Sequence, residues 1–292
     1  MTMKKKTKPK ARPGAREKRS PVVIVGFGRV GGALALGLKL ADWPVSVLPR
    51  SGESVRRAAA MRIPLADHEA LKSAGFCFLA VPDAAVTSAA EQVEADLAAS
   101  TTLVHCSGAL PLTALISATG RSRRAVASFH PLAAISDSHV ALAGHSVAIA
   151  CTSRDQLVEL ERLAKALELT PIEVPETGRA AYHAAAVMSA GLIVALADAA
   201  SAAFEHAGLH REAALRALLP LMHSALYGVE HFGLDKGLTG PIVRGDVAIV
   251  QAHLDALPAD LGSIYRLLSR RALKLAKRLP PETRLALERI LA

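Results

Sequence analysis

Aromatic residues are scarce in this 292-residue chain: six Phe, three Tyr and one Trp make up 3% of it. Aliphatic side chains and alanine must therefore fill the core, and a hydrophobic content of 51% is ample for that. Cysteine is nearly absent as well. Cys77, Cys106 and Cys151 are an odd number, form no CxxC pair and sit in apolar settings. That excludes a disulfide framework or a zinc site and suggests buried thiols in a reducing, cytoplasmic compartment, with no metal expected. No apolar run reads as membrane-spanning. The best candidate, residues 184–204, is mostly alanine and carries Asp198 with His183 just upstream. A charge there is costly in lipid, so a buried helix is expected.

Acidic residues are few at the start of the chain. Residues 1–20 hold nine Lys or Arg against one Glu, which accounts for most of the net charge of +9. The remaining residues are almost balanced, with 26 basic and 25 acidic side chains. The tail has no apolar run to bury and lacks the apolar centre of a secretory signal. It reads as a disordered solubilising extension or an over-long start, with weak electrostatic contact to nucleic acid or an anionic membrane as the alternative. The folded part offers no basic patch for nucleic acid.

What is present is organised around PVVIVGFGRVGG, residues 21–32. Val22–Val25 predict a strand that runs into Gly26, Phe27, Gly28, Arg29, Val30 and Gly31, and a helical pattern follows at once. A glycine motif between strand and helix is the context a dinucleotide fingerprint requires. Gly26 permits the tight turn, Gly28 lets the backbone approach a pyrophosphate, and Gly31 lets the helix lie close to the strand. Free N–H groups at the helix start attract phosphate. About 20 residues further on, an acidic residue that would grip the ribose hydroxyls of NAD is missing. Pro49, Arg50 and Ser51 stand there, with Arg56 and Arg57 just beyond. Arg50 and Ser51 suit a 2′-phosphate, which predicts NADP(H) as cofactor; the alternative is a loop arginine with no role.

Further strands are predicted at 45–48, 75–81, 102–106, 125–129, 146–151 and 171–174, alternating with helices. Asp67 is expected to start a short helix. Ligands in open α/β sheets bind beyond the carboxyl ends of the strands, so Val81, Pro82 and Ser107 are candidate cofactor contacts. Asp83 reads as the cap of a helix over 84–97. From Gly178 the pattern is helical throughout. One long helix is expected from Arg179 to His206, stopping at Gly208, and a second from Arg211, disturbed at Pro220. Pro241 suits the first position of a helix running to Leu257, and Pro258 and Pro281 begin two more. The expected class is α/β: a Rossmann-type parallel sheet domain over residues 21–176, then an all-α substrate and dimerisation domain over 177–292. The six basic residues of 266–278 read as a solvated face.

The pieces VGFGRVGGALA (25–35), AVPD (80–83), HCSGAL (105–110), FHPL (129–132), YHAAAV (182–187) and LTGPIVRGD (238–246) together give the chain a likeness. It resembles the NADP-dependent oxidoreductases inferred from sequence that join a Rossmann-like domain to a helical domain of unknown function. More distantly it is similar to pyrroline-5-carboxylate reductase and the 6-phosphogluconate dehydrogenase superfamily. The resemblance implies a homodimer and does not supply a substrate. Ile135 replaces an aromatic residue often found in the group, and Ser189-Ala190-Gly191 replaces Ala-Ser-Asn. The superfamily's lysine has no counterpart between Arg179 and His206.

Hydride transfer also needs a group to move a proton, and histidine suits that task near neutral pH. His130, at an expected strand end before Pro131, is the first candidate. His183, in the first turns of the long helix, is the second. Ser189 is six residues on, about 120° away from the same helical face. His105 is expected to be buried and hydrogen-bonded. Arg244 can anchor an acidic substrate, or it can form a structural network with Asp246. The sequence therefore points to an NADPH-dependent reductase of a C=O or C=N bond in a small polar metabolite. The alternative is a protein that binds NADP(H) without turnover.

Overall fold

A computed structural model describes residues 19–116 and 124–292. The basic tail lies outside the described residues except at its end. There the Arg19 guanidinium donates to the carbonyls of Ala41 and Asp42, both at 2.6 Å, and lies over the Trp43 ring. Trp43 Nε1 in turn donates to the Ser20 carbonyl at 2.8 Å. The last two residues of the supposed tail are thus part of the fold.

The chain divides into two compact units, the first ending at Val187 and the second running from Met188 to Ala292. The first unit opens with β1 (Val22–Val25), α1 (Arg29–Leu40), β2 (Val45–Leu48), α2 (Gly52–Ala60), α3 (His68–Ser73) and β3 (Phe76–Leu79). It continues with α4 (Val86–Glu94), β4 (Thr102–His105), α5 (Thr113–Ile116), β5 (Val126–Leu132), β6 (Ser146–Cys151), α6 (Arg154–Ala166) and β7 (Thr170–Ile172). Among the described residues seven strands form one sheet in the order β2-β1-β3-β4-β5-β6-β7. The chain moves from β1 outward to β2, then returns to the other side of β1 for β3. That reversal leaves a crevice at the carboxyl ends of β1 and β3.

Alternation explains why β1 is apolar throughout. Val22 and Ile24 face one buried cluster with α1 and α6, and Val23 and Val25 face a second with α4. Asp67 caps α3 as expected, its carboxylate accepting from Ala70 N at 2.8 Å. Arg124, nearly buried, pairs with Glu94 at 3.1 Å and ties the start of β5 to α4.

Two strand expectations need correction. The sheet is parallel only from β2 to β5; β6 runs antiparallel to β5, and β7 runs parallel to β6. A parallel return needs a crossover, usually a helix, and residues 133–145 contain none. Secondly, β5 does not end at Phe129. Pairing with β6 carries it to Leu132, so His130 and Pro131 lie within the strand.

After the first turns of α7 (Arg179–Ser189), the second unit contains α8 (Gly191–His206), α9 (Arg211–Gly237), α10 (Pro241–Arg244), α11 (Val247–Ala256), α12 (Ala259–Leu275) and α13 (Pro281–Ile290). The single long helix expected here is two. Ala190, at φ −127° and ψ −80°, breaks it, next to Gly191, a poor helix former. Gly208, at φ +90°, ends α8 as expected. Pro220 is accommodated inside α9, whose real kink is at Gly233, φ +74°. Pro241 opens a helix, but only a four-residue one: Gly245 is left-handed at φ +75° and stops it. A Cβ at Gly245 would also stand 2.6 Å from Thr283 Cγ2, so close packing reinforces the backbone requirement.

The expectation of a buried apolar helix at 184–204 also fails. The stretch Glu176–His206 has the length and hydropathy of a membrane span, yet hardly any of it is buried in the chain. Only Ser201 of α8 is buried. Leu192 and Val194 are largely exposed, as are Leu221, Tyr227 and Phe232 of α9.

Candidate functional site

The turn after β1 has the geometry a phosphate needs. Gly26, at φ +91°, donates its N–H to the Leu48 carbonyl at 2.9 Å, and a Cβ there would meet the Ala80 carbonyl oxygen at 2.6 Å. A Cβ on Gly31 would stand 2.3 Å from the Gly26 oxygen, so α1 lies against the turn. Gly28, which caps α1, is different: nothing lies within 4 Å of the place its side chain would take. The cap has no side-chain bond, and the first turn carries no acid. Arg29 is exposed, Val30 is half-buried, and Phe27 is buried with only its backbone at the turn. Open space at an uncapped, acid-free helix start fits a pyrophosphate.

The neighbouring elements complete the crevice. Arg50 is exposed just past β2. Ser51 caps α2, its Oγ accepting from Ser54 N at 3.2 Å, so part of its capacity is already used. Arg57 is only a nearby cation in the sequence, and the structure brings it onto the glycine turn. It donates to the Phe27 carbonyl and its guanidinium lies 5.5 Å from the Phe27 ring centroid. Its spacing on α2 gave no sign of this, because the contact spans 30 residues. Val81, half-buried, packs beside Gly26, and Pro82 is exposed beyond it.

Asp83 departs from its expected role, and its partner is Ser107. Asp83 opens a 3₁₀ turn, Asp83–Ala85, and does not cap α4, which has no side-chain cap. Its carboxylate accepts from Ser107 Oγ at 2.8 Å. Ser107 Oγ also accepts from the N–H groups of Ala109 and Leu110, at 3.1 and 3.0 Å. This buried hydroxyl holds the turn after β4 in shape.

The histidines converge on that turn. In register, His105 of β4 faces Ser128 of β5, so residues 129–132 project beyond the carboxyl end of β4. His130 therefore stands on the rim although it is inside its strand. From α7, Arg179, Tyr182 and His183, spaced i, i+3, i+4, present one face to it. His130 Nδ1 is 2.7 Å from the Tyr182 hydroxyl. The His130 ring stands edge-to-face with both Tyr182 and His183, centroids 5.6 and 5.9 Å apart. Below them lies Gly108: a Cβ there would be 2.7 Å from His130 Cε1 and from His183 Nδ1. Arg179, buried, donates to Ser128 Oγ and pairs with Glu176 at 3.0 Å.

Burial, with the positive potentials of His183 and Arg179, pushes the His130 pKa down to about 4. His105 is also pushed down to about 4, by burial first and then by Arg179. It is buried as expected, but neither ring nitrogen has a hydrogen-bond partner, against the bonded histidine the sequence suggested. His183 Nδ1 is likewise buried and unpaired. Both His130 and His105 are neutral imidazoles at neutral pH. Ser189 and Arg244 lie in the second unit. Arg244 Nε donates to Asp246 at 2.7 Å, the pairing that the structural reading of those residues requires. Among the described residues no group of His, Cys, Asp and Glu could hold a metal, and the three thiols are free.

A sheet whose strand order reverses at β1, with a glycine turn and a rim of polar side chains at its carboxyl ends, defines a Rossmann-type fold followed by a helical C-terminal region. Residues 6–131 match the Rossmann-like domain family, and residues 146–272 match a domain of unknown function, DUF2520. The chain thus pairs a Rossmann-like domain with a DUF2520 domain, and the second match begins inside the sheet, at β6. No curated protein matches the sequence significantly.

Solved structures share the fold. One is a Bacteroides fragilis protein with an inferred NADP oxidoreductase activity: TM-score 0.71, 22% identity, covering 88% of this chain and 98% of that one. Plasmodium falciparum pyrroline carboxylate reductase with NADP bound gives 0.60 and 13%, over 88% and 98%. A reductive aminase from Aspergillus terreus in complex with NADPH4, cyclohexanone and allyl amine gives 0.59 and 16%, over 88% and 94%. At these identities the likeness is one of fold.

Proposed function

We propose that the protein is an NADPH-dependent reductase acting on a C=O or C=N bond of a small polar metabolite, in the cytoplasm. The observation that carries the reading is the open position at Gly28, framed by the close contacts of Gly26 and Gly31 and facing a β2 end with Arg50 and no acid. The N–H groups of the α1 start would hold the pyrophosphate, and Arg50 with the hydroxyl of Ser51 would meet the 2′-phosphate. Val81 and Pro82 would border the nicotinamide half. The nucleotide supplies the hydride; His130, neutral and on the strand rim, supplies the proton, and His183 packs beside it. The buried Ser107 shapes the turn under them. Solved relatives of fold that carry NADP or NADPH4 support the cofactor class.

A fluorescence titration comparing NADPH with NADH tests the nucleotide. NADPH is expected to bind at least about tenfold more tightly, the worth of one charge-assisted contact. Equal constants would remove Arg50 from the site. NADPH oxidation followed with keto acids, imines and aldehydes then tests the chemistry; binding without any turnover would leave a non-catalytic NADP(H)-binding protein.

We also propose a homodimer formed through the helical unit. Leu192 and Val194 of α8 and Leu221 and Phe232 of α9 are 52%, 70%, 63% and 61% exposed, more apolar surface than a free helix pair usually shows to water. Sedimentation equilibrium is expected to return twice the chain mass of 30.5 kDa, and a monomer at all concentrations would rule the dimer out.

A further inference from the structure

We propose that Tyr182 sets the protonation state of His130: its phenol O–H donates to Nδ1, so that the ring carries its own hydrogen on Nε2, the nitrogen beside Gly108. The hydroxyl lies 2.7 Å from Nδ1. That is the short limit of the ~2.7–3.2 Å range for an N–H donating to oxygen and the middle of the ~2.5–3.0 Å range for an O–H donor, so the geometry favours the phenol as donor. A neutral imidazole has one donor and one acceptor nitrogen, and a phenol partner on one fixes the hydrogen on the other. Burial supports both halves. It holds the Tyr182 phenol protonated by raising its pKa, and keeps the imidazole uncharged.

The remaining edge of the ring is placed for use. His130 Cε1 and Nε2 are 2.7 and 2.9 Å from the point a Gly108 Cβ would occupy, at the turn after β4. Tyr182 therefore acts through His130 and is a positioning residue. Loss of the Nε2 proton to a developing alkoxide or amide leaves the ring to take the phenol proton on Nδ1. The imidazole is then neutral in its other tautomer and the charge rests on the phenolate; Nδ1 returns its proton to the phenolate as Nε2 takes one from water, which restores both groups. No imidazolium has to form beside His183 and Arg179 of α7. The other charged or titratable groups facing the ring are Asp83, in the turn after β3, and His105 of β4. The use of the proton rests on the reductase reading; the tautomer does not.

The test uses the full chain, 15N-labelled and free of nucleotide, with long-range 1H–15N correlation spectra of the imidazole rings. His130→Gln identifies the His130 signals. Wild type is expected to show the Nε2–H tautomer at pH 7. In Tyr182→Phe the tautomers mix, and the ring titrates about one unit higher because the bond favouring its neutral form is gone. An Nδ1–H tautomer in wild type overturns the proposal, as does a tautomer and midpoint unchanged by Tyr182→Phe. If that variant does not fold, the wild-type spectrum alone decides. Adding NADPH to the same sample tests the reductase reading separately: absence of binding ends that reading and leaves the tautomer result standing.

Discussion

Gly31→Ala is expected to abolish measurable NADPH binding and to lower stability by about 1–3 kcal/mol, the usual cost of forcing atoms into a filled site. The new Cβ would stand 2.3 Å from the Gly26 carbonyl oxygen and 3.1 Å from Ala80 Cβ. Neither neighbour can yield cheaply. Gly26 is fixed by its positive φ and its bond to Leu48, and Ala80 by its N–H bond to the Val25 carbonyl at 2.9 Å. Helix α1 must therefore move off the sheet, taking the N–H groups of its first turn with it. Gly28→Ala is the informative partner. Its backbone, φ −77° and ψ −160°, suits alanine, and its Cβ would meet nothing. Stability should stay within about 0.5 kcal/mol of wild type, as for a surface change. NADPH affinity should still collapse, because the methyl occupies the space assigned to the pyrophosphate. Urea denaturation beside nucleotide titration reads both quantities. A Gly28→Ala protein that binds NADPH like wild type would show that the phosphates lie elsewhere.

The glycine turn was legible in the sequence because all its physics is local. Strand, turn and helix follow one another within about a dozen residues, and the glycines' steric duties belong to that geometry. The histidine cluster was legible only in part. His130 and His183 could be singled out by residue type, but the bond from Tyr182 to His130 spans 52 residues. A signal for Tyr182 did exist, since Arg179, Tyr182 and His183 share one face of a helix whose start was correctly placed. The pairing of Ser107 with Asp83 is equally non-local, and a lone Asp before a helix reads as a cap whenever its distant partner is unknown. Strand direction failed for a different reason. The apolar run at 146–151 looks alike in either direction, and only the lack of a helix in 133–145 told against a parallel return. The exposed α8 follows from composition, which marks a helix as one to be covered without saying by what.

Gly108→Ala is expected to lower turnover about 100-fold or more, the range in which a positioned acid–base group acts, while NADPH affinity is retained. The three atoms nearest the new Cβ belong to the two histidines and none to the glycine turn at β1. That Cβ would lie 2.7 Å from His130 Cε1, 2.9 Å from His130 Nε2 and 2.7 Å from His183 Nδ1. Both rings must therefore move. His130 cannot turn away without stretching its 2.7 Å bond to Tyr182, and its edge-to-face contacts with Tyr182 and His183 limit the alternatives. A displacement of 1 Å in such a group is enough to cost two orders of magnitude, about the effect of misplacing a reacting pair. His130→Ala should lose as much, by removing the donor outright. Steady-state kinetics on any substrate found reducible provides the first measurement. Imidazole 15N shifts provide a second that needs no substrate: in Gly108→Ala the His130 and His183 signals should both shift while those of the exposed His206 and His210 do not. Unchanged His130 and His183 signals would mean that the two rings do not converge on Gly108, and the proton donor would have to be sought on another element of the rim.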